Sequence, residues 1–180
     1  MTSTTPRWLV GLALLLVTGL GAGTARALDL GDLAKKAGGA AGGAARDKAV
    51  KEVNAKLLAE GRKDQCTFKT DSDVLMPGCD KKLKNLANTL IQMKKKLSIG
   101  GVTTFKFEVS GHTDSSGTPA LNRELSERRA STIAREMVSR GVDPKEIMAV
   151  GMAADRPLVT PDDTPAKKAK NRRYEIQVKF

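Results

Sequence analysis

Two kinds of hydrophobic periodicity alternate along the chain from about residue 63, and this alternation limits the possible fold more than any other feature. Apolar residues spaced three and four apart predict amphipathic helices, whereas apolar residues spaced two apart predict strands with one buried face. The first helix carries a single apolar stripe made of Leu83, Leu86, Leu90, Met93 and Leu97. A second helix is predicted over residues 119–140, because Thr118 suits the N-cap and Gly141 suits the end.

Several segments alternate apolar and polar residues, as strands of a half-buried sheet do. The clearest lies at residues 174–180, and another lies at 105–109. Shorter strands are predicted at 66–70 and 147–151. Strands with one polar face need cover on one face only, and the two helices can supply it. The sequence therefore predicts an α+β two-layer sandwich over residues 63–180, in the order βαβαββ, with helices on one face of a small mixed sheet.

The first 27 residues have the pattern of a secretory signal peptide. Arg7 supplies the positive start, residues 8–16 supply the apolar segment, and Ala25-Arg26-Ala27 is an A-x-A cleavage site. Cleavage would leave Leu28 as the first residue. The alternative is an uncleaved anchor, because the uncharged run is close to the length of a membrane span. We expect an exported, periplasmic protein that associates with the cell wall or the outer membrane.

Residues 28–62 are predicted as a Gly/Ala-rich linker followed by an amphipathic helix. The linker covers the low-complexity run at residues 31–46, which has little apolar surface to bury. Apolar residues recur at helical spacing over 47–60, and Gly61 is expected to end that helix. Docking on the domain, dimerisation and binding of an envelope protein are all compatible with this pattern.

The composition favours anionic partners other than nucleic acid. A formal net charge of +11 attracts polyanions. The chain, however, has only 4 Phe, 1 Tyr and 1 Trp, too few for a base-stacking platform, and an exported protein rarely meets nucleic acid. The anionic cell wall and lipid headgroups are the expected counterparts.

The two cysteines predict a structural disulfide between Cys66 and Cys79, because an exported protein meets an oxidising compartment. The bridge would stabilise the fold by about 3 kcal/mol. Two cysteines and one distant histidine, His112, make a poor metal site, so neither a metal nor another cofactor is expected. No serine or cysteine has the partners of a catalytic relay, and an enzyme is not expected.

Two motifs resemble those of the OmpA-like C-terminal, peptidoglycan-binding domain family. The first comprises residues 111–117 with Asn122 and residues 125–130, and the second comprises residues 171–176. The resemblance extends over about residues 66–180. It implies non-covalent binding of the peptidoglycan stem peptide, especially of a diaminopimelate residue whose free end is a zwitterion.

The resemblance also implies roles for six residues. Asp114 matches the aspartate that pairs with the ligand ammonium, and Arg129 matches the arginine that holds the ligand carboxylate. The further ligand contacts and the rim of the site fall on Thr113, Asn122, Asn171 and Arg172.

The residues themselves support the pairing of Asp114 with Arg129. Arg129 lies at the edge of the apolar stripe of the second helix, where a guanidinium needs a partner. Asp114 follows a strand just before that helix and can supply the charge, with a zwitterionic ligand between them. The alternative is an internal Asp114–Arg129 salt bridge that only holds the loop.

The sequence departs from the family pattern at Lys69, at Ala153 and in the Lys- and Pro-rich insert 160–170, and these changes could alter the rim of the site. A second hypothesis keeps the fold but not the ligand. In that case the protein is an envelope interaction module that binds a protein partner through its basic surface or through residues 47–62.

Overall fold

The computed structural model describes residues 30–180, with side chains from residue 42 onward. The signal peptide predicted over residues 1–27 and the predicted cleavage site before Leu28 lie outside the described residues. Within the described part the helices are α1 (Leu30–Lys63), α2 (Asp80–Ile99), α3 (Pro119–Ser139) and α4 (Pro165–Asn171). The strands are β1 (Lys106–His112), β2 (Ile147–Gly151) and β3 (Arg173–Lys179), and a short 3-10 turn covers Pro144–Glu146.

The three strands form one mixed sheet in the order β2-β1-β3. β1 runs parallel to β2, with Phe107 opposite Ile147, and antiparallel to β3, with Phe107 opposite Val178. Side chains from this sheet share one core with α1, α2 and α3. The predicted α+β class is confirmed.

The two predicted helices are confirmed, nearly at their predicted bounds. The apolar stripe of α2 is buried at Leu83, Leu86, Leu90 and Leu97. α3 begins at Pro119, and the hydroxyl of its N-cap Thr118 accepts a hydrogen bond from the amide of Leu121 at 3.4 Å. α3 ends at Ser139, one residue before the predicted end, because Gly141 follows with a positive φ of 98°.

The prediction of a strand at residues 66–70 is wrong. This segment belongs to a hairpin, residues 66–76, that is joined by a single antiparallel bridge between Phe68 and Leu75. The edge of β3 is capped instead by side chains: Asn54 of α1 accepts a hydrogen bond from the amide of Val178 at 2.7 Å. Gln65 accepts one from the amide of Tyr174 at 3.4 Å. Two amides of this edge are thereby bonded without another strand.

The interpretation of residues 31–46 as a linker is also corrected, because α1 runs through them and past Gly61 to Lys63. Alanine has the highest helix propensity, and it offsets the cost of about 1 kcal/mol for each glycine in the run. The later turns of α1 dock on the domain: Val53 and Leu57 are fully buried in the common core. Within the described part of the chain, no helix is both long and apolar enough to cross a bilayer.

A further helix, α4, lies inside the insert 160–170 and was not predicted. It begins after Thr164, whose hydroxyl accepts a hydrogen bond from the amide of Lys167 at 3.3 Å. α4 leads directly into β3 and so carries the residues before that strand to the end of β1.

Cys66 and Cys79 are free thiols in the structure, so the predicted disulfide is not formed there. Both side chains are buried, and the Sγ of Cys66 lies 3.8 Å from the carbonyl oxygen of Cys79. Burial, with a contribution from Cys79, raises the pKa of the Cys66 thiol to about 12. The folded protein therefore holds little of the thiolate needed for exchange, and the disulfide stays a prediction for a chain that folds in an oxidising compartment.

Two glycines allow α3 to approach the sheet closely. A Cβ atom at Gly111 of β1 would lie 2.1 Å from the carbonyl oxygen of Ser126. A Cβ atom at Gly151 of β2 would lie 2.7 Å from the carbonyl oxygen of Arg123. This contact fixes α3 beside the end of β1, where the predicted site residues meet.

Candidate ligand-binding site

A cavity of about 600 Å³ opens at the end of β1, between the hairpin 66–76, α3 and the end of α4. It is called the ligand pocket below. Five of the six predicted site residues line it, namely Thr113, Asp114, Asn122, Arg129 and Arg172.

Asp114 is buried and already holds a cation. Its Oδ2 accepts a hydrogen bond from Arg172 at 2.6 Å, and its Oδ1 accepts one from the amide of Ser116 at 2.9 Å. Burial by itself would raise the pKa of Asp114, but the bonds from Arg172 and Ser116 outweigh it and lower the pKa below its usual value. Asp114 is therefore an anion at neutral pH.

Arg129 is held by backbone groups of the hairpin 66–76 rather than by a carboxylate. Its Nε donates to the carbonyl oxygen of Ser72 at 2.8 Å, and a terminal nitrogen lies 3.4 Å from the carbonyl oxygen of Lys69. Its Cζ lies 5.2 Å from the centroid of the Phe68 ring, within the range of a cation–π contact. Burial and then the nearby Arg172 lower the pKa of Arg129, yet a guanidinium stays charged at neutral pH.

The alternative of an internal Asp114–Arg129 salt bridge is wrong. Asp114 pairs with Arg172, and none of the ion pairs among residues 42–180 includes Arg129. Two opposite charges thus line one pocket without neutralising each other.

Thr113 and Asn122 line the same pocket as these charges, and they have different roles. The amide of Asn122 donates to the carbonyl oxygens of Ser116, at 2.7 Å, and Asp114, at 3.4 Å, and so holds the loop after β1. The hydroxyl of Thr113 is buried and has no hydrogen-bond partner among the described residues. A polar group of a ligand could satisfy it.

Asn171 does not line the ligand pocket, so its predicted place at the rim is corrected. Its side chain is fully buried and accepts from the amide of Leu158 at 2.8 Å. It donates to Asp162 at 3.0 Å, and Asp162 also accepts from the amide of Ser115 at 2.9 Å. The hydroxyl of Ser115 also donates to Asp162. This bond is the main cause that lowers the pKa of Asp162 to about 2, and the bonds from Asn171 and the Ser115 amide are the next. Asp162 therefore ties the residue after Asp114 to the insert.

His112 is buried beside the pocket and is neutral. Its Nε2 lies 3.3 Å from the hydroxyl of Ser110, and its Nδ1 has no partner among the described residues. Burial and the nearby Arg173 lower the pKa of His112 to about 4. In the part of the chain that the structure describes, no three His, Cys, Asp or Glu side chains are grouped as metal ligands would be.

The contacts that hold Arg129 had no signal in the sequence. Phe68 was placed on a strand, and the carbonyl groups of Lys69 and Ser72 are features of the backbone that any residue type would carry. Asp162 sits in the insert, where no helix was predicted. A sequence pattern shows side-chain chemistry, but it does not show which backbone carbonyls a fold turns toward a charge.

Curated relatives match up to 62% of the chain. Outer membrane porin F of Pseudomonas fluorescens is 39% identical over 111 residues, which is 62% of this chain and 31% of that protein. Probable lipoprotein YiaD of Escherichia coli is 33% identical over 110 residues, 61% of this chain and 46% of that protein. Peptidoglycan-binding protein ArfA of Mycobacterium tuberculosis is 40% identical over 70 residues, 39% of this chain and 21% of that protein. The matched segments thus span between 21% and 46% of these relatives.

Solved structures share the fold. The peptidoglycan-associated lipoprotein of Burkholderia pseudomallei superposes with a TM-score of 0.53 at 23% identity, covering 64% of this chain and 89% of that chain. The C-terminal domain of Helicobacter pylori MotB does so with a TM-score of 0.53 at 22% identity, covering 64% and 84%. The model of the OmpA family matches residues 67–172, more than half of the sequence. The chain therefore belongs to the OmpA family.

Proposed function

We propose that the protein binds peptidoglycan non-covalently and so anchors to the cell wall. The ligand group is the zwitterionic end of a diaminopimelate residue in the stem peptide. One observation carries this proposal: Asp114 and Arg129 line a single pocket, both are buried, and neither neutralises the other. Such an arrangement suits a ligand that brings both charges itself.

Each part of the pocket has a role in this proposal. The ligand ammonium binds Asp114, which is ionised. The ligand carboxylate binds Arg129. Its Nε is bonded to Ser72 and its Nη2 lies 3.4 Å from the carbonyl oxygen of Lys69, so Nη1 is the nitrogen without a partner among the described residues. The hydroxyl of Thr113 gives a further polar contact. Binding forms and breaks no covalent bond, and the protein acts as a binding module rather than an enzyme.

The relatives support the setting of this function. One is named a peptidoglycan-binding protein, and a structural neighbour is named a peptidoglycan-associated lipoprotein. Others are named outer membrane porin and lipoprotein. With the signal peptide predicted over residues 1–27, these names support a periplasmic protein attached to the wall or the outer membrane.

The second hypothesis, an interaction module for an envelope protein, receives less support. Val53 and Leu57, the main apolar residues of the 47–62 segment, are fully buried in the protein's own core. That stripe is used within the chain, and Leu58 is the one large apolar side chain that this segment leaves exposed.

Sedimentation with purified cell-wall sacculi tests the proposal. We expect the wild type to sediment with sacculi and the variants Asp114→Ala and Arg129→Ala to remain in solution. Asp155→Ala and Arg128→Ala are matched controls, because both residues are exposed and form ion pairs outside the ligand pocket. Circular dichroism checks that every variant is folded.

Unchanged sedimentation of Asp114→Ala and Arg129→Ala would overturn the proposed site. A loss in Arg128→Ala as large as that in Arg129→Ala, with no loss in Asp114→Ala or Asp155→Ala, would indicate non-specific adsorption of a cationic protein to the wall.

A further inference from the structure

A second cavity, of about 340 Å³, lies along the outer edge of β3. It is called the edge groove below. One wall is the last turns of α1, at Leu57, Leu58 and Arg62, and the opposite wall is Leu158 with the end of α4. The edge groove exists because the outer side of β3 is flanked by a helix rather than by a strand.

The edge groove adjoins the ligand pocket. Five residues line both cavities, namely Cys66, Thr67, Ala169, Arg172 and Arg173. Thr67, Ala169 and Arg172 are exposed, so the division between the cavities lies at the surface rather than in the core. A ligand seated in the ligand pocket can continue over this division without opening the fold.

The edge groove combines an apolar floor with a cationic rim. The buried side chains of Leu57, Tyr174 and Ile176 lie at its base, and the half-exposed Leu58 and Leu158 lie at its sides. This floor suits aliphatic parts of a ligand.

The rim carries the cations Arg62, Lys170 and Arg172. None of the ion pairs among residues 42–180 includes Arg62 or Lys170. The one carboxylate that lines the groove, Glu175, is bonded by Arg173 at 2.7 Å. The groove therefore has positive charge available for an anionic group.

Addition of a new strand does not explain this groove. The outward amides of Tyr174 and Val178 on β3 are already bonded by Gln65 and Asn54. The side-chain amide of Gln65 also donates to the carbonyl oxygen of Tyr174 at 2.7 Å. The groove is suited to side chains and carboxylates rather than to a pairing backbone.

We propose that the edge groove is a second subsite for the same ligand and receives the carboxylate-bearing part of the stem peptide next to the zwitterion. This inference rests on the proposed function of the ligand pocket. It adds that the ligand is recognised as a peptide of several residues and not as one amino acid. Arg62 and Lys170 supply the charge, and the leucines contact the aliphatic segments.

Calorimetric titration with two probes tests this. Free meso-diaminopimelate offers a zwitterionic end without any peptide extension, and the tripeptide L-alanyl-γ-D-glutamyl-meso-diaminopimelate offers the same end with a glutamyl carboxylate and an alanine attached. We expect the wild type to bind the tripeptide at least tenfold more tightly. In the double variant Arg62→Gln/Lys170→Gln most of this gain should be lost, while the affinity for free diaminopimelate is kept, which also shows that the variant is folded.

The matched control is Lys63→Gln/Lys167→Gln. Lys63 and Lys167 lie on α1 and α4, the same helices as Arg62 and Lys170, but they line neither cavity. Their substitution removes the same amount of charge. The control should keep the full tripeptide gain. Equal affinity of the wild type for both probes, or equal losses in the two double variants, would overturn the second subsite. Failure of both probes to bind the wild type would overturn the proposed function itself.

Discussion

At the scale of single residues, Arg129 is distinctive because the backbone fixes its geometry. Replacement by lysine keeps the charge but removes the Nε bond to Ser72 and the planar group over Phe68. We expect Arg129→Lys to weaken binding of diaminopimelate about tenfold, since a charged hydrogen bond contributes about 1.5 kcal/mol or more. Calorimetry measures this, and Arg128→Lys on the exposed face of α3 is the control. Equal affinities of wild type and Arg129→Lys would show that the fork is not used.

His112 gives a pH-dependent contribution to stability. Its pKa falls from an ordinary 6.5 to about 4 because burial and Arg173 disfavour the charged ring. Between pH 6.5 and about 4, the ring of His112 is therefore protonated in the unfolded chain and neutral in the folded protein. The contribution of His112 to the free energy of unfolding is fully present above pH 6.5 and is lost as the pH falls toward 4. The loss should reach about 3 kcal/mol.

Urea unfolding at pH 7 and at pH 4.5 measures this loss. The difference between wild type and His112→Gln isolates the contribution of the histidine from that of the other titrating groups. If the two proteins lose stability in parallel, the ring is not buried as a neutral group.

Prediction of the site from sequence worked where the chemistry belongs to side chains. Asp114 and Arg129 line one pocket, as the resemblance of their motif to the family implies. The sequence did not show that Arg172 pairs with Asp114. Arg172 is brought to Asp114 by α4, and the Lys- and Pro-rich insert that contains most of α4 has no helical pattern. The assignment of Asn171 failed for the same reason: its amide is used to hold the insert.

At the scale of elements, the contact between α3 and the sheet depends on Gly111. An added Cβ would lie 2.1 Å from the carbonyl oxygen of Ser126, a backbone atom that cannot move without α3. We expect Gly111→Ala to destabilise the protein by about 3 kcal/mol through overpacking. Gly61→Ala is the control: it meets nothing within 4 Å and lies inside α1, so it should be neutral or slightly stabilising. Thermal unfolding compares the two, and similar midpoints would contradict this packing.

The hairpin 66–76 is the element that holds Arg129. Cys66 lies at its start, and Cys79 is the N-cap of α2 just after it. We predict that protein recovered from an oxidising compartment carries a Cys66–Cys79 disulfide, which stabilises the fold by about 3 kcal/mol. Peptide mapping without reductant identifies the bond. Two alkylatable thiols in such material would contradict the prediction.

The elements that were predicted well have strong periodicity of their own, as α2 and β3 do. The strand expected at residues 66–70 failed because a strand needs a free edge, and the side chains of Asn54 and Gln65 occupy that edge. The helix through the Gly/Ala run was missed because its later turns are held by tertiary packing at Val53 and Leu57. The hydrophobic periodicity of a segment does not show whether tertiary packing will stabilise it as a helix.

At the scale of the whole molecule, the predicted export gives a simple optical test. Trp8 is the sole tryptophan and lies within the predicted signal peptide. We expect the mature protein to show no tryptophan emission and to begin at Leu28 by mass spectrometry. A membrane-bound species that retains Trp8 would instead support the uncleaved anchor.

The ion pair between Arg172 and Asp114 also bears on how the whole protein takes up its proposed ligand. In the free protein a cation already occupies the carboxylate at which the ligand ammonium is proposed to bind. Uptake is then an internal ion exchange, in which one cation leaves Asp114 as another arrives. The displaced guanidinium belongs to a residue that also lines the edge groove. Filling the first subsite thus releases a charge for the second.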